Sequence, residues 1–151
     1  MSARDRLAEL GIELPAPVAP LASYVPAVRT GDLVYTSGQL PIVDGALAAT
    51  GKVGAEVSVA DAARLARTCA LNALSAIDAL VGIDAVRRVV KVVGFVASAA
   101  GFAEQPQVVN GASDLLGEVF GAAGQHARSA VGVAELPRDA PVEVELIVEV
   151  G

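Results

Sequence analysis

The chain has 151 residues, one domain's length, and can bury roughly 68–70% of the surface its unfolded form would expose. A formal net charge of −6 with 3% aromatic residues supplies neither a basic stripe for phosphates nor stacking platforms for single strands, which argues against nucleic acid as a main partner. One cysteine, Cys69, and one histidine, His126, cannot build a disulfide framework or a Cys/His metal cage within a chain, while 54% hydrophobic content points to an oligomer.

The opening MSARDRLAEL carries charges where a signal peptide needs an apolar run, and no later stretch reaches about 18 uninterrupted apolar residues. The chain therefore reads as cytoplasmic, without a membrane partner. Residues 14–20, LPAPVAP, hold three prolines, so any helix begun at ARDRLAEL ends there and residues 1–21 form a Pro-rich arm on a domain spanning 1–151. YVPAVRTGDLVYTSGQLP predicts a hairpin turning at Thr30-Gly31-Asp32, with Pro26 placing its first strand at a sheet edge. The following PIVDGALAATGKVGAE reads as a long loop.

From Ser58 the apolar period becomes helical. Ser58 and Asp61 form a capping signature, Gly82 a stop, and Leu65, Cys69, Ala73, Ile77 and Leu80 fall on one half of the wheel. Arg64, Arg67, Thr68, Asn72, Ser75 and Asp78 fill the polar half. Cys69 thus reads as a small buried hydrophobe. AVRRVVKVVGFVAS is apolar on both faces after Arg88, as in a central strand covered on both sides. QPQVVNGASDLLGEVFG returns to helical spacing with Pro106 in its first turn.

HARSAVGVAELP, residues 126–137, then reads as a strand with Ser129, Val131 and Val133 on a core face. Arg128, Ala130 and Gly132 share the other face, whose near absence of side chains suits the approach of another backbone or a small ligand. APVEVELIVEV alternates strictly, Val142 to Val150 against Glu143, Glu145, Ile147 and Glu149. The element order predicts an α+β fold, a single sheet with two helices on one face. The uncovered face is expected to meet other subunits and to carry Arg128 and Glu143.

YTSGQLP (35–41), ARSAVGVAELP (127–137) and VEVELIVEV (142–150), with the helix–strand–helix order between them, resemble the Rid or YjgF/YER057c/UK114 family of reactive-intermediate deaminases. The resemblance covers roughly residues 22–150. It implies a chorismate-mutase-like fold assembled as a homotrimer around a central barrel, with a cleft at each subunit interface. It further implies hydrolysis of 2-aminoacrylate-type enamines and imines to 2-keto acids and ammonia, with no cofactor.

On this resemblance the carboxylate-binding arginine falls on Arg128, the acidic residue of the last strand on Glu143, the tyrosine of the first strand on Tyr24, and an asparagine of the second helix on Asn110. Backbone contacts of the family's cysteine position fall on Ala130, and Gly132 stands where many members carry an acid. The segment NGASDLL also lacks an aromatic residue common there.

Bland alternatives stand beside each of these. Arg128 also reads as a solvated rim charge, Glu143 as one of a row of surface glutamates, and Tyr24 as hairpin core. Ser37 and Gln39 read as hairpin-shaping residues, and His126 as structural. A non-catalytic module binding keto acids explains Arg128 without chemistry, and the endoribonuclease activity also attached to this family is disfavoured by the charge.

Overall fold

The computed structural model describes residues 1–151 and places each helix where its caps dictate. Helix α1 (Ala3–Glu9) opens on a reciprocal capping box between Ser2 and Asp5. Helix α2 (Val59–Val81) begins where Ser58 Oγ accepts the Asp61 N–H at 3.1 Å. It ends at Gly82, whose φ of 84° a side chain would resist. Helix α3 (Gln105–Phe120) starts with Pro106 in its first turn and buries Val108, Val109, Ala112, Leu115, Leu116 and Val119.

Five strands form one sheet. Strands β1 (Ala27–Thr30) and β2 (Leu33–Thr36) make the expected hairpin, with β1 at the edge as Pro26 requires. Beyond two-residue strands β3 (Ile42–Val43) and β4 (Ala46–Leu47) come β5 (Val86–Ala97), β6 (Ala127–Val133) and β7 (Val142–Val150). The order β1-β2-β7-β5-β6 is antiparallel except for β5 and β6, which the crossover helix α3 joins in parallel. Val142, Val144, Leu146, Val148 and Val150 are buried on the face that α2 covers, while Glu143, Glu145, Ile147 and Glu149 lie half-buried on the open face.

The structure corrects four expectations. The loop after Pro41 contains the β3–β4 hairpin, turned by Asp44 and Gly45, both at positive φ. Asn72 and Ser75 leave the polar half of α2: both are buried, because Asn72 Nδ2 donates to the Leu40 and Ile42 carbonyls and Ser75 Oγ donates to the Pro15 carbonyl. Strand β5 is covered by helices on one face only. Lastly, β6 is turned over relative to the expectation. Register pairs Val92, Gly94 and Val96 with Arg128, Ala130 and Gly132, so these three face the helices, and Val131 is 44% exposed on the open face.

The missing side chains on that face admit α3. A Cβ on Gly94 would lie 2.4 Å from Val109 Cγ2, and one on Gly132 would lie 2.9 Å from Ser98 Oγ. Between the helices, a Cβ on Gly111 would stand 1.8 Å from the Ala63 carbonyl oxygen. Backbone cannot yield as a side-chain tip can, so Gly111→Ala is expected to cost about 3 kcal/mol, the upper end of overpacking penalties. Urea unfolding checks this, with the control Gly117→Ala, which meets nothing within 4 Å, remaining near wild type.

Candidate functional site

Arg128 occupies the helix-facing side of β6, the outermost strand, and reaches over its edge to the start of α3. Nη1 donates to Asn110 Oδ1 at 2.8 Å and to Ser113 Oγ at 3.2 Å, and Nη2 makes a long contact of 3.4 Å with the Pro106 carbonyl. No acidic residue pairs with it, whereas Arg4, Arg6, Lys52, Arg64 and Arg67 each hold a carboxylate. Both hydrogens of Nη1 are spent, so the edge formed by Nε and Nη2 is the one left to receive a ligand. That edge presents two parallel N–H groups, the spacing of a carboxylate.

The strand edge beside it is also unsatisfied. The Val133 carbonyl accepts from Ser98 N, which orients alternate residues of β6 toward β5. By alternation the N–H and C=O of Arg128, Ala130 and Gly132 point outward from the sheet. The backbone of Ala130 is therefore available, but its methyl packs against the core beneath α3.

Glu143 is elsewhere. It lies on the open face opposite Phe95, with β5 between it and β6, so one chain does not bring Arg128 and Glu143 together. The expectation that both share a face is corrected by the register. Glu143 instead lines a cavity of about 290 Å³ with Tyr24, Gln39 and residues 18–22 of the arm. Burial, and then the charge of Glu145, pushes its carboxyl above the usual range. Burial alone raises Glu145.

The YTSGQLP segment shapes this cavity. A Cβ on Gly38 would fall 2.7 Å from Glu143 Cδ, so the glycine leaves room for the carboxyl to lie across the backbone. Ser37 Oγ donates to the Val25 carbonyl at 2.6 Å, and Gln39 exchanges backbone hydrogen bonds with Val144. Both shape the hairpin, as read from the sequence. Tyr24 precedes β1 rather than lying in it, is 45% exposed, and accepts from Leu21 N at 3.2 Å, which ties the arm over the cavity.

Sequence reasoning overlooked Gly38 and Ser113. The spacing of Asn110 and Ser113, one helical turn apart, was the available signal, as was the placement of His126 and Arg128 on one face of a strand. Cys69 is fully buried against the Val142 carbonyl, and burial holds its thiol well above the ordinary range. It packs as a small apolar residue.

Fold and site define an α+β protein with an arginine free of any acidic partner on an open sheet edge and a carboxyl set in a separate cavity. Residues 15–150 match the Endoribonuclease L-PSP family, and the chain belongs to that family, which is the YjgF family its motifs resemble. It is 49% identical over 145 residues to Protein TCP17 of Trypanosoma cruzi, covering 95% of this chain and 91% of that one. The crystal structure of Atu1372 from Agrobacterium tumefaciens, a protein of unknown function, is 48% identical, with 99% and 92% of the chains covered and a TM-score of 0.90. TdcF of E. coli, crystallised with bound serine, is 29% identical over 90% of this chain and 94% of that one, with a TM-score of 0.63.

The raised Glu143 carboxyl makes stability depend on pH. The folded chain holds its proton to higher pH than the unfolded chain, so stability falls as pH rises from the ordinary carboxylate range through the raised value. Glu143→Gln removes that cost. Its melting temperature is expected to exceed the wild type's by a few degrees at neutral pH. The gain should vanish at pH low enough for Glu143 to be protonated in both the folded and the unfolded chain, and a gain independent of pH would contradict the assignment.

Proposed function

We propose that this protein hydrolyses 2-aminoacrylate-type enamines and imines to 2-keto acids and ammonia at clefts between subunits. The observation that carries the reading is the Nε–Nη2 edge of Arg128, free of any acidic partner while Nη1 is held by Asn110 and Ser113. Serine bound to the family member TdcF supports a ligand bearing a carboxylate and an adjacent nitrogen.

Two different patches, the β6 edge and the Glu143 cavity, make up the site, so the contact that joins them is heterologous and closes into a ring. Three copies are what the family resemblance implies. The open sheet face, with Lys91, Val93, Phe95, Ser129 and Val131, supplies the packing surface.

In the cleft, Arg128 takes the substrate carboxylate and the outward amide groups of β6 align its plane. The acid form of Glu143 donates its proton to the enamine methylene carbon, which becomes a methyl group as the C–N bond gains imine character. The carboxylate so formed accepts a proton from water as the oxygen bonds to the imine carbon. The resulting carbinolamine expels ammonia when its nitrogen is protonated and its hydroxyl proton is lost, leaving the keto acid. These substrates already react with water, so positioning carries most of the acceleration.

Arg128→Ala is expected to lose roughly 2–5 kcal/mol of ligand interaction, and Arg128→Lys to recover part of it. Glu143→Gln should lose turnover while keeping keto-acid affinity; wild type that binds keto acids without releasing ammonia is instead a binding module. Mixing equal amounts of unfolded and co-refolded Arg128→Ala and Glu143→Gln chains should restore about a quarter of wild-type activity, because one interface in four then pairs an intact Arg128 with an intact Glu143. No recovery, or a monomer by light scattering, would refute a shared site.

The family's name raises ribonuclease activity as a second reading. Five cations are already tied to acids, and the net charge is −6, so RNA association should be weak and abolished by moderate salt. Filter binding across a salt series checks this; cleavage lost with a point change in this chain would favour the nuclease.

A further inference from the structure

Ser113, which holds Arg128 Nη1, is itself held from behind by His126. His126 Nδ1 lies 2.6 Å from the Gly124 carbonyl, which can only accept, so Nδ1 carries the proton. In the neutral ring Nε2 is then an acceptor, and it stands 2.8 Å from Ser113 Oγ. The Ser113 hydroxyl donates to it and turns its lone pair toward Arg128 Nη1, 3.2 Å away. A helical serine or threonine commonly spends its hydroxyl on the preceding turn, as Thr68 does on the Arg64 carbonyl. Ser113 is diverted from that use by the imidazole.

Hydrogen bonds therefore run in one direction, from guanidinium to hydroxyl to imidazole to carbonyl. The arrangement fixes more than position. With one Nη1 hydrogen on Asn110 and the other on Ser113, a carboxylate cannot bridge Nη1 and Nη2, and only the Nε–Nη2 edge can grip it with two bonds. We infer that Ser113 and His126 are positioning residues that select which edge of Arg128 receives the carboxylate, and so set the orientation of the keto or imino acid. This rests on Arg128 as the carboxylate clamp.

The test uses the full-length protein. Long-range ¹H–¹⁵N spectra should show His126 as the Nδ1–H tautomer, and low-temperature spectra should resolve Arg128 Nη1 hydrogens that broaden in Ser113→Ala. With 2-iminopropanoate generated in situ, Ser113→Ala and His126→Phe should each raise KM at least about tenfold, the worth of a hydrogen bond to a charged group, with kcat within about threefold. Ser113→Thr and His126→Gln keep a hydroxyl and an acceptor, and should stay within about threefold of wild type in both constants.

An Nε2–H tautomer, or equal losses for Ser113→Ala and Ser113→Thr, overturns the inference. Should Arg128→Ala raise KM while Ser113→Ala does not, the positioning role alone falls. Should Arg128→Ala leave KM unchanged, the clamp itself falls and the positioning role with it.

Discussion

The close approach of α3 to the sheet and to α2 is the constraint on which the rest depends. Gly94 lets Val109 sink onto β5, and Gly111 lets the α2 backbone pass where a methyl group would collide. Burial along α3 supplies the energy, since each large aliphatic side chain it removes from water is worth roughly 1.5–3 kcal/mol. A helix held further out would still cover the core after repacking. Its N-terminal half would no longer set Asn110 and Ser113 against the end of β6, and Arg128 would lose the oxygens that aim it.

The same close packing explains why the site is split. A sheet with both helices on one face must leave its other face and its last strand unpaired, and edge strands demand cover. Here the edge bears the arginine, and the open face bears the glutamate. Each half is rigid because it sits on an element rather than a loop: Arg128 on β6, Glu143 on β7, with Gly38 and the arm closing the cavity around the latter. In the proposed reading, assembly brings the two halves together without requiring a lid to move.

Much of this was legible in the residues. Ser58 and Gly82 marked the ends of α2 correctly, the period of APVEVELIVEV separated buried valines from half-buried glutamates, and Pro26 marked an edge strand. What alternation could not reveal is which face of β6 is covered, because small residues suit a helix as well as a ligand. Valine at 131 suggested core, yet the decisive feature was Gly94 on the neighbouring strand, whose empty place needs Ala130 beside it to receive α3. The burial of Asn72 and Ser75 has a related cause. A polar side chain on a helix looks solvated until a second segment, here the arm and the Leu40–Ile42 stretch, brings carbonyls to it. Long-range contacts of that kind have no local period.

The way Arg128 is held separates a clamp from an ion pair. Its acceptors are an amide oxygen, a hydroxyl and a peptide carbonyl, all uncharged. They compensate part of the cost of desolvating the guanidinium without cancelling its charge, so an arriving carboxylate still meets a full positive charge in a pre-set orientation. An aspartate at 110 or 113 would hold the arginine more strongly and would compete with the ligand for it. The residue behind Ser113 is an imidazole rather than a carboxylate, so it adds no negative charge to compete for the arginine. Neutral support around an unpaired cation is what the proposed carboxylate site requires, and it differs from the acids that hold the other cations of this chain.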